Sequence, residues 1–127
     1  MVDTNILLSA MLFPNGRMNE LMWKAAVENR LVLSSFVIDE LFDVIRRKFS
    51  SQEKAADAFL SRMPYELVYT PKQLDPGLFK IRDPDDYAVL YSAVTENVDI
   101  FITRDRDFDD LHLDKPEILT PAQFLAR

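Results

Sequence analysis

The chain has 127 residues, a formal net charge of -6, one histidine and no cysteine. That size, with 48% hydrophobic residues, suits a single domain over residues 1–127 that buries about two thirds of its unfolded surface. Disulfides, thiolate metal sites and multi-histidine zinc sites are excluded, so any metal must be held by oxygen, as hard cations prefer. No apolar run approaches the roughly 20 residues of a membrane span, and no leader with a basic start and small-residue cleavage site is visible. A soluble, cytoplasmic protein with no membrane partner is expected. The negative charge opposes a polyanionic partner. That objection weakens if many carboxylates share one cation-filled pocket, leaving 15 Lys and Arg to meet phosphates elsewhere.

In chain order, Val2 is the remnant of a first strand that ends at Asp3. Buried parallel strands usually run about five residues, so a few residues upstream of Met1 are expected. Leu7, Leu8, Met11, Leu12 and Phe13 form an apolar stretch that one small core would not absorb completely, a candidate contact surface. Met18, Leu21, Met22, Ala25 and Ala26 recur at helical spacing and predict a helix over 17–28, followed by a strand over 31–34. The next helix, 36–48, carries Val37, Leu41, Val44 and Ile45 inward, with Asp43 and Arg47 paired on the wet side. Ser50 or Ser51 is expected to cap a third helix that runs through Met63, with Glu53 in its first turn.

A strand is predicted over 66–69, mostly loop over 71–84, and a helix over 85–96 with Val89, Leu90, Ala93 and Val94 inward. Residues 99–103 read as a buried strand, 117–119 as a last one, and Pro121 as the first residue of a terminal helix. This alternation, with no repeat and only two glycines, predicts an α/β sandwich around a mostly parallel sheet.

Four acids stand where apolar runs meet turns or helices: Asp3, Glu40, Asp86 and Asp105. A parallel sheet presents the ends of its strands at one edge, where α/β folds bind ligands. Asp3 and Asp105 follow strands, and Glu40 and Asp86 near the first turns of their helices can reach back to the same edge. Four carboxylates gathered there would raise one another's pKa values unless a cation were present. Mg²⁺ or Mn²⁺ could then activate water against a phosphodiester, with no side-chain nucleophile. The chain has no glycine-rich phosphate loop and no Ser-His pair.

Asp3-Thr4-Asn5, Glu40 in the second helix, Asp83-Pro84-Asp85-Asp86 leading into a helix, and Thr103-Arg104-Asp105-Arg106-Asp107-Phe108 after an apolar strand resemble the PIN domain, and within it the prokaryotic VapC-like toxins. The resemblance covers nearly the whole chain. It implies a three-layer α/β/α sandwich with about five strands and a metal-dependent ribonuclease acting on RNA. It also implies a dimer and a cognate antitoxin that holds the enzyme inactive. Asp3, Glu40 and Asp86 match the three core acids and Asp105 the fourth. Asp83 shares the work of Asp86 in one alternative, and Asp107 that of Asp105 in another. Thr4, Asn5 and Thr103 match polar positions that hold the carboxylates or a substrate phosphate. The apolar stretch from Leu7 to Phe13 is then a candidate dimer contact or antitoxin groove.

Plainer readings stand beside these. Asp83 and Asp85 could serve only as a helix start. The Arg46-Arg47-Lys48 run could track RNA or simply complement a helix C-terminus. Arg104 and Arg106 are better placed to contact phosphate, or could pair with neighbouring acids. His112 reads as surface, Trp23 as core or subunit interface. Two other functions remain: a PIN fold that binds RNA or protein without cutting, and a phospho-receiver module built on the acids and Lys115-Pro116, although that lysine precedes the last strand instead of ending it. A DNA nuclease also stays open, since no reader of the 2′-hydroxyl is evident.

Overall fold

The computed structural model describes residues Met1–Arg127. Its first helix, α1 (Thr4–Leu12), was not among the predicted elements. Asp3 starts it from extended backbone, its Oδ1 accepting the Ile6 N–H at 3.0 Å, the usual role of a short acid at a helix start. Ile6, Leu7, Ala10 and Met11 are buried, and Leu8 and Leu12 are half-buried against the core. The core therefore absorbs most of the stretch read as surplus, and only Phe13, 63% exposed, is left outside.

A tight turn from Phe13 to Gly16 leads into α2 (Arg17–Glu28), which buries Leu21, Met22 and Ala25. Trp23 and Val27, one turn apart on α2, are exposed. Strand β1 (Val32–Ser34) runs into α3 (Ser35–Lys48), where Ser34 Oγ accepts the Val37 N–H at 3.2 Å. Val37, Leu41 and Ile45 are the buried stripe of α3. The expected Asp43–Arg47 pair does not form. An exposed i,i+4 pair gains little, whereas the neighbouring Arg46 reaches Glu53 at 2.9 Å and lies over the Phe42 ring. Neither Ser50 nor Ser51 caps the third helix. Both lie in a 3₁₀ turn (Ser50–Gln52) closed by the Gln52 N–H on Phe49 O, and α4 (Glu53–Arg62) begins beyond it without a side-chain cap.

Strand β2 (Glu66–Val68) pairs in parallel with β1, from Val32↔Glu66 to Ser34↔Val68. After an irregular stretch, α5 (Pro84–Thr95) buries Val89, Leu90 and Ala93. Strand β3 (Ile100–Ile102) pairs in parallel with β4 (Glu117–Leu119). Helix α6 (Pro121–Leu125) closes the fold, with Thr120 and Gln123 forming a reciprocal capping box and Pro121 in its first turn.

All five predicted strand positions carry β pairing, and every pairing is parallel. Their hydrogen bonds fall into two groups, however: β1 with β2, and β3 with β4 plus Val2, which bridges Ile102. The Ile102 N–H donates to Met1 O at 2.9 Å and the Asp3 N–H to Ile102 O at 3.3 Å, so Asp3 and Thr103 emerge side by side. Helix α1 packs on α2, α3 and α4, while α3 touches α5 and β1, and α6 touches α2 and β4. Phe101, fully buried, meets the Phe108 ring edge-on at 5.2 Å, which anchors the turn carrying Asp105 to the core. The result is an α/β/α sandwich. No helix is long and apolar enough to cross a membrane.

Candidate metal centre

The edge where Asp3 and Thr103 emerge is a cleft of about 240 Å³ lined by six carboxylates: Asp3, Glu40, Asp83, Asp85, Asp86 and Asp105. Three of them are fixed by the backbone they start. Asp3 caps α1, Asp83 caps α5 by accepting the Asp85 N–H at 2.8 Å, and Asp105 accepts the Asp107 N–H at 2.9 Å at the start of a 3₁₀ turn (Arg106–Phe108). A short acid before a helix can adopt this conformation without strain, so the local sequence aims each side chain.

Two threonines tie these acids together. Buried Thr103 donates its hydroxyl to Asp3 Oδ2 at 2.5 Å and accepts the Asp105 N–H at 3.0 Å. Buried Thr4 donates to Glu40 Oε1, joining α1 to α3. Asn5 is exposed and lines the same cleft.

Asp86 differs from the others. Its Oδ2 is inaccessible to water and has no hydrogen-bond partner, an uncommon state for a buried polar atom. Carboxylate oxygens of Asp86, Asp105 and Asp107 all lie within 4.8 Å of one another. Burial, then the charges of Asp105 and Asp83, push the Asp86 carboxyl up to about 7. Asp3 is also raised by burial, against the opposing bonds from Thr103 and the Ile6 N–H. Glu40 is raised by burial, with the Thr4 bond working against it and Asp85 and Asp83 adding to it. Such a group of like charges is costly as structure alone. An all-oxygen donor set with an unsatisfied buried oxygen fits a hard divalent cation, with Asp86, Asp105 and Asp107 the residues nearest to sharing one.

Most of the predicted site residues therefore meet: Asp3, Thr4, Asn5, Glu40, Asp83, Asp86 and Asp105 in the cleft, Asp107 at its rim and Thr103 behind it. Arg104 sits at the mouth, its guanidinium donating to Ser9 Oγ at 3.2 Å and its charge felt by Asp3. Arg106 does not join them. Its side chain is 93% exposed and turns to Asp109 at 3.5 Å, because the 3₁₀ turn directs successive residues to different sides. Arg46 is likewise held by Glu53 on the α3–α4 side. Asp85 is the acid that sequence reasoning left as a helix start. Three acids within four positions were the available clue, because Pro84 fixes the first turn and keeps Asp85 and Asp86 both near the cleft. Lys115, the lysine on which a receiver module would depend, pairs with Asp99 at 2.7 Å before β3, at the opposite end of that strand from Thr103.

The PIN domain family model matches residues 1–107. Among solved structures the chain is similar to VapBC2 from Rickettsia felis, whose crystal structure is bound to a DNA fragment from their promoter. The two are 23% identical, the match covers 94% of this chain and 95% of that one, and the TM-score is 0.68. At that identity the likeness is one of fold. No curated protein matches the chain. The matched segment takes in every acid of the cleft from Asp3 to Asp105, and the chain belongs to the PIN domain family.

Proposed function

We propose that this chain is a Mg²⁺- or Mn²⁺-dependent endoribonuclease that hydrolyses RNA phosphodiester bonds with water, and that it is the toxin of a toxin–antitoxin pair. The observation that carries this reading is the buried, unpartnered Oδ2 of Asp86 among five further carboxylates. When bound, the divalent ion supplies an acidified water and stabilises charge on the phosphorus oxygens. Asp86, Asp105 and Asp107 would hold it, with Asp3 and Glu40 completing the anionic wall. Thr103 and Thr4 restrain the orientation of Asp3 and Glu40 so that the wall need not reorganise when charge develops. Arg104 at the mouth is the cation that meets the substrate phosphate.

Membership of the PIN family and the sequence resemblance to VapC-like toxins support the ribonuclease and the antitoxin partner. For self-association, the exposed Trp23 and Val27 on α2 offer an apolar face. A concentration-independent monomer mass in light scattering would remove the dimer from this reading.

The test is incubation of purified protein with a mixed pool of labelled RNAs and Mn²⁺, beside a chelator, an Asp86→Asn variant and a DNA pool. Cleavage of RNA that needs both the metal and Asp86 supports the proposal. Cleavage that persists with the chelator or in Asp86→Asn refutes the site, and cleavage of DNA alone refutes the substrate. Expression of the wild type should arrest growth while Asp86→Asn does not.

A further inference from the structure

The acid cleft does not end at its own walls. Asp3, Asn5 and Asp105 also line a neighbouring depression of about 400 Å³, and that depression shares Ser9 and Arg104 with a third of about 580 Å³. The three form one groove that leaves the acids, passes Arg104 and reaches an apolar end at Phe13, Met18 and Leu125.

Phe13 is held firmly and yet left in water. Its N–H donates to Ser9 O at 3.0 Å, and its carbonyl accepts the Gly16 N–H at 2.9 Å across a Phe13-Pro14-Asn15-Gly16 turn. A side chain at Gly16 would begin 3.2 Å from Phe13 Cβ, so the turn packs tightly there and a larger residue would have to shift it by a few tenths of an ångström. A phenyl ring 63% exposed on such a fixed backbone forgoes the gain of burial and presents a flat apolar face at no cost in backbone order.

Past Asp3 and Asp105, the charged residues that line this groove are both cations. Arg104 and exposed Arg17 line it. Neither is paired with a carboxylate, whereas Arg30, Arg46, Arg106 and Arg127 are. A polyanion with aromatic faces complements two guanidinium groups outside any salt bridge and an exposed ring. Duplexes keep their bases stacked on each other, so the ring selects a single strand.

We propose that this groove is a substrate subsite for single-stranded RNA, in which a nucleotide flanking the cleaved bond stacks its base on Phe13 and sets its phosphates on Arg104 and Arg17. The subsite rests on the ribonuclease reading above for its position beside the cleaved bond.

The test is fluorescence anisotropy of a labelled eight-nucleotide single-stranded RNA with the full chain in Ca²⁺, followed by cleavage of the same RNA in Mn²⁺. Phe13→Ala and Arg17→Ala alter exposed side chains, and circular dichroism checks that they fold. Each should weaken binding by about tenfold, while Phe13→Trp keeps it. Arg17→Ala should also lower the log–log salt slope by about 0.7, the loss of one phosphate contact on a single strand. Arg62→Ala, an exposed cation on α4, should change neither. Equal affinities throughout, or no binding by the wild type, overturn the subsite. Weakened binding by the variants with no cleavage by the wild type upholds the subsite and removes the nuclease. Cleavage by all variants with unchanged KM upholds the nuclease and removes the subsite.

Discussion

The Thr103 hydroxyl links two acids from opposite ends of the sequence, donating to Asp3 Oδ2 at 2.5 Å while accepting the Asp105 N–H at 3.0 Å. Because Thr103 is buried, no water replaces it when it is lost. Thr103→Val should cost about 1–3 kcal/mol of stability and weaken Mn²⁺ binding, while Thr103→Ser restores both. Urea unfolding with calorimetric Mn²⁺ titration reads the two effects, and a Val variant equal to wild type in both would show the bridge to be idle.

Asp86 gives the metal-free protein a pH dependence with a definite sign. Below the ordinary carboxyl value of 3.8 the group is protonated whether the chain is folded or not. Between there and about 7 the folded protein keeps a proton that the unfolded chain has lost, so stability falls as pH rises, and above about 7 the full cost is present. Partial contact with water limits that cost to about 1–2 kcal/mol. Asp86→Asn should therefore unfold at a higher temperature than wild type at pH 8 in chelator, with the difference shrinking towards pH 4. A wild type that is the more stable of the two at pH 8 would contradict the assignment.

A divalent ion should reverse the sign of that comparison. At a hundred times its dissociation constant it stabilises the folded wild type by about 2.7 kcal/mol, a melting shift of about 10 °C for a chain of this length. Asp105→Asn, which neutralises one of the three carboxylates whose oxygens lie within 4.8 Å of each other, should lose most of the shift. Differential scanning fluorimetry with Mn²⁺ and then a chelator measures it. Equal shifts in both proteins would move the ion away from Asp105.

Tyr87 ties the irregular segment before α5 to the helix. Its hydroxyl donates to Asp75 O at 2.5 Å and accepts the Leu78 N–H at 3.1 Å, while its ring packs on Phe79 and Tyr91. Tyr87→Phe keeps the packing and removes both bonds, so global stability should fall by about 1 kcal/mol while proteolytic nicking between residues 71 and 83 rises clearly. Unchanged nicking would mean that the packed rings alone hold the segment.

What could be read from the sequence was local. Helix α2 and strand β4 appear over the residues expected, the first because its apolar residues recur on one face, the second because turn residues bracket it. Asp83 and Pro84 marked the start of α5 by capping chemistry that needs no tertiary partner. Helix α1 was hidden because Ile6, Leu7, Leu8, Ala10, Met11 and Leu12 take up most of its circumference, leaving only Asn5 and Ser9 as a polar strip too narrow to set a period. The acids were legible as strand and helix ends. Which oxygen remains unpaired was not, because that depends on Thr4 and Thr103 reaching acids 36 and 100 residues away. The same holds for the separation of strands into two hydrogen-bonded groups, which long-range pairing alone decides.

Asp3, Asp83 and Asp105 each start a helical turn with the same side chain that lines the cleft. Asparagine performs that structural service about as well as aspartate, so the electrical charge of the centre and its architecture are separable at these three positions. Aspartate-to-asparagine replacements there can discharge the cleft one step at a time while the turns stay formed. A graded series of inert but intact proteins thus lies a single chemical group away from the native chain at each position.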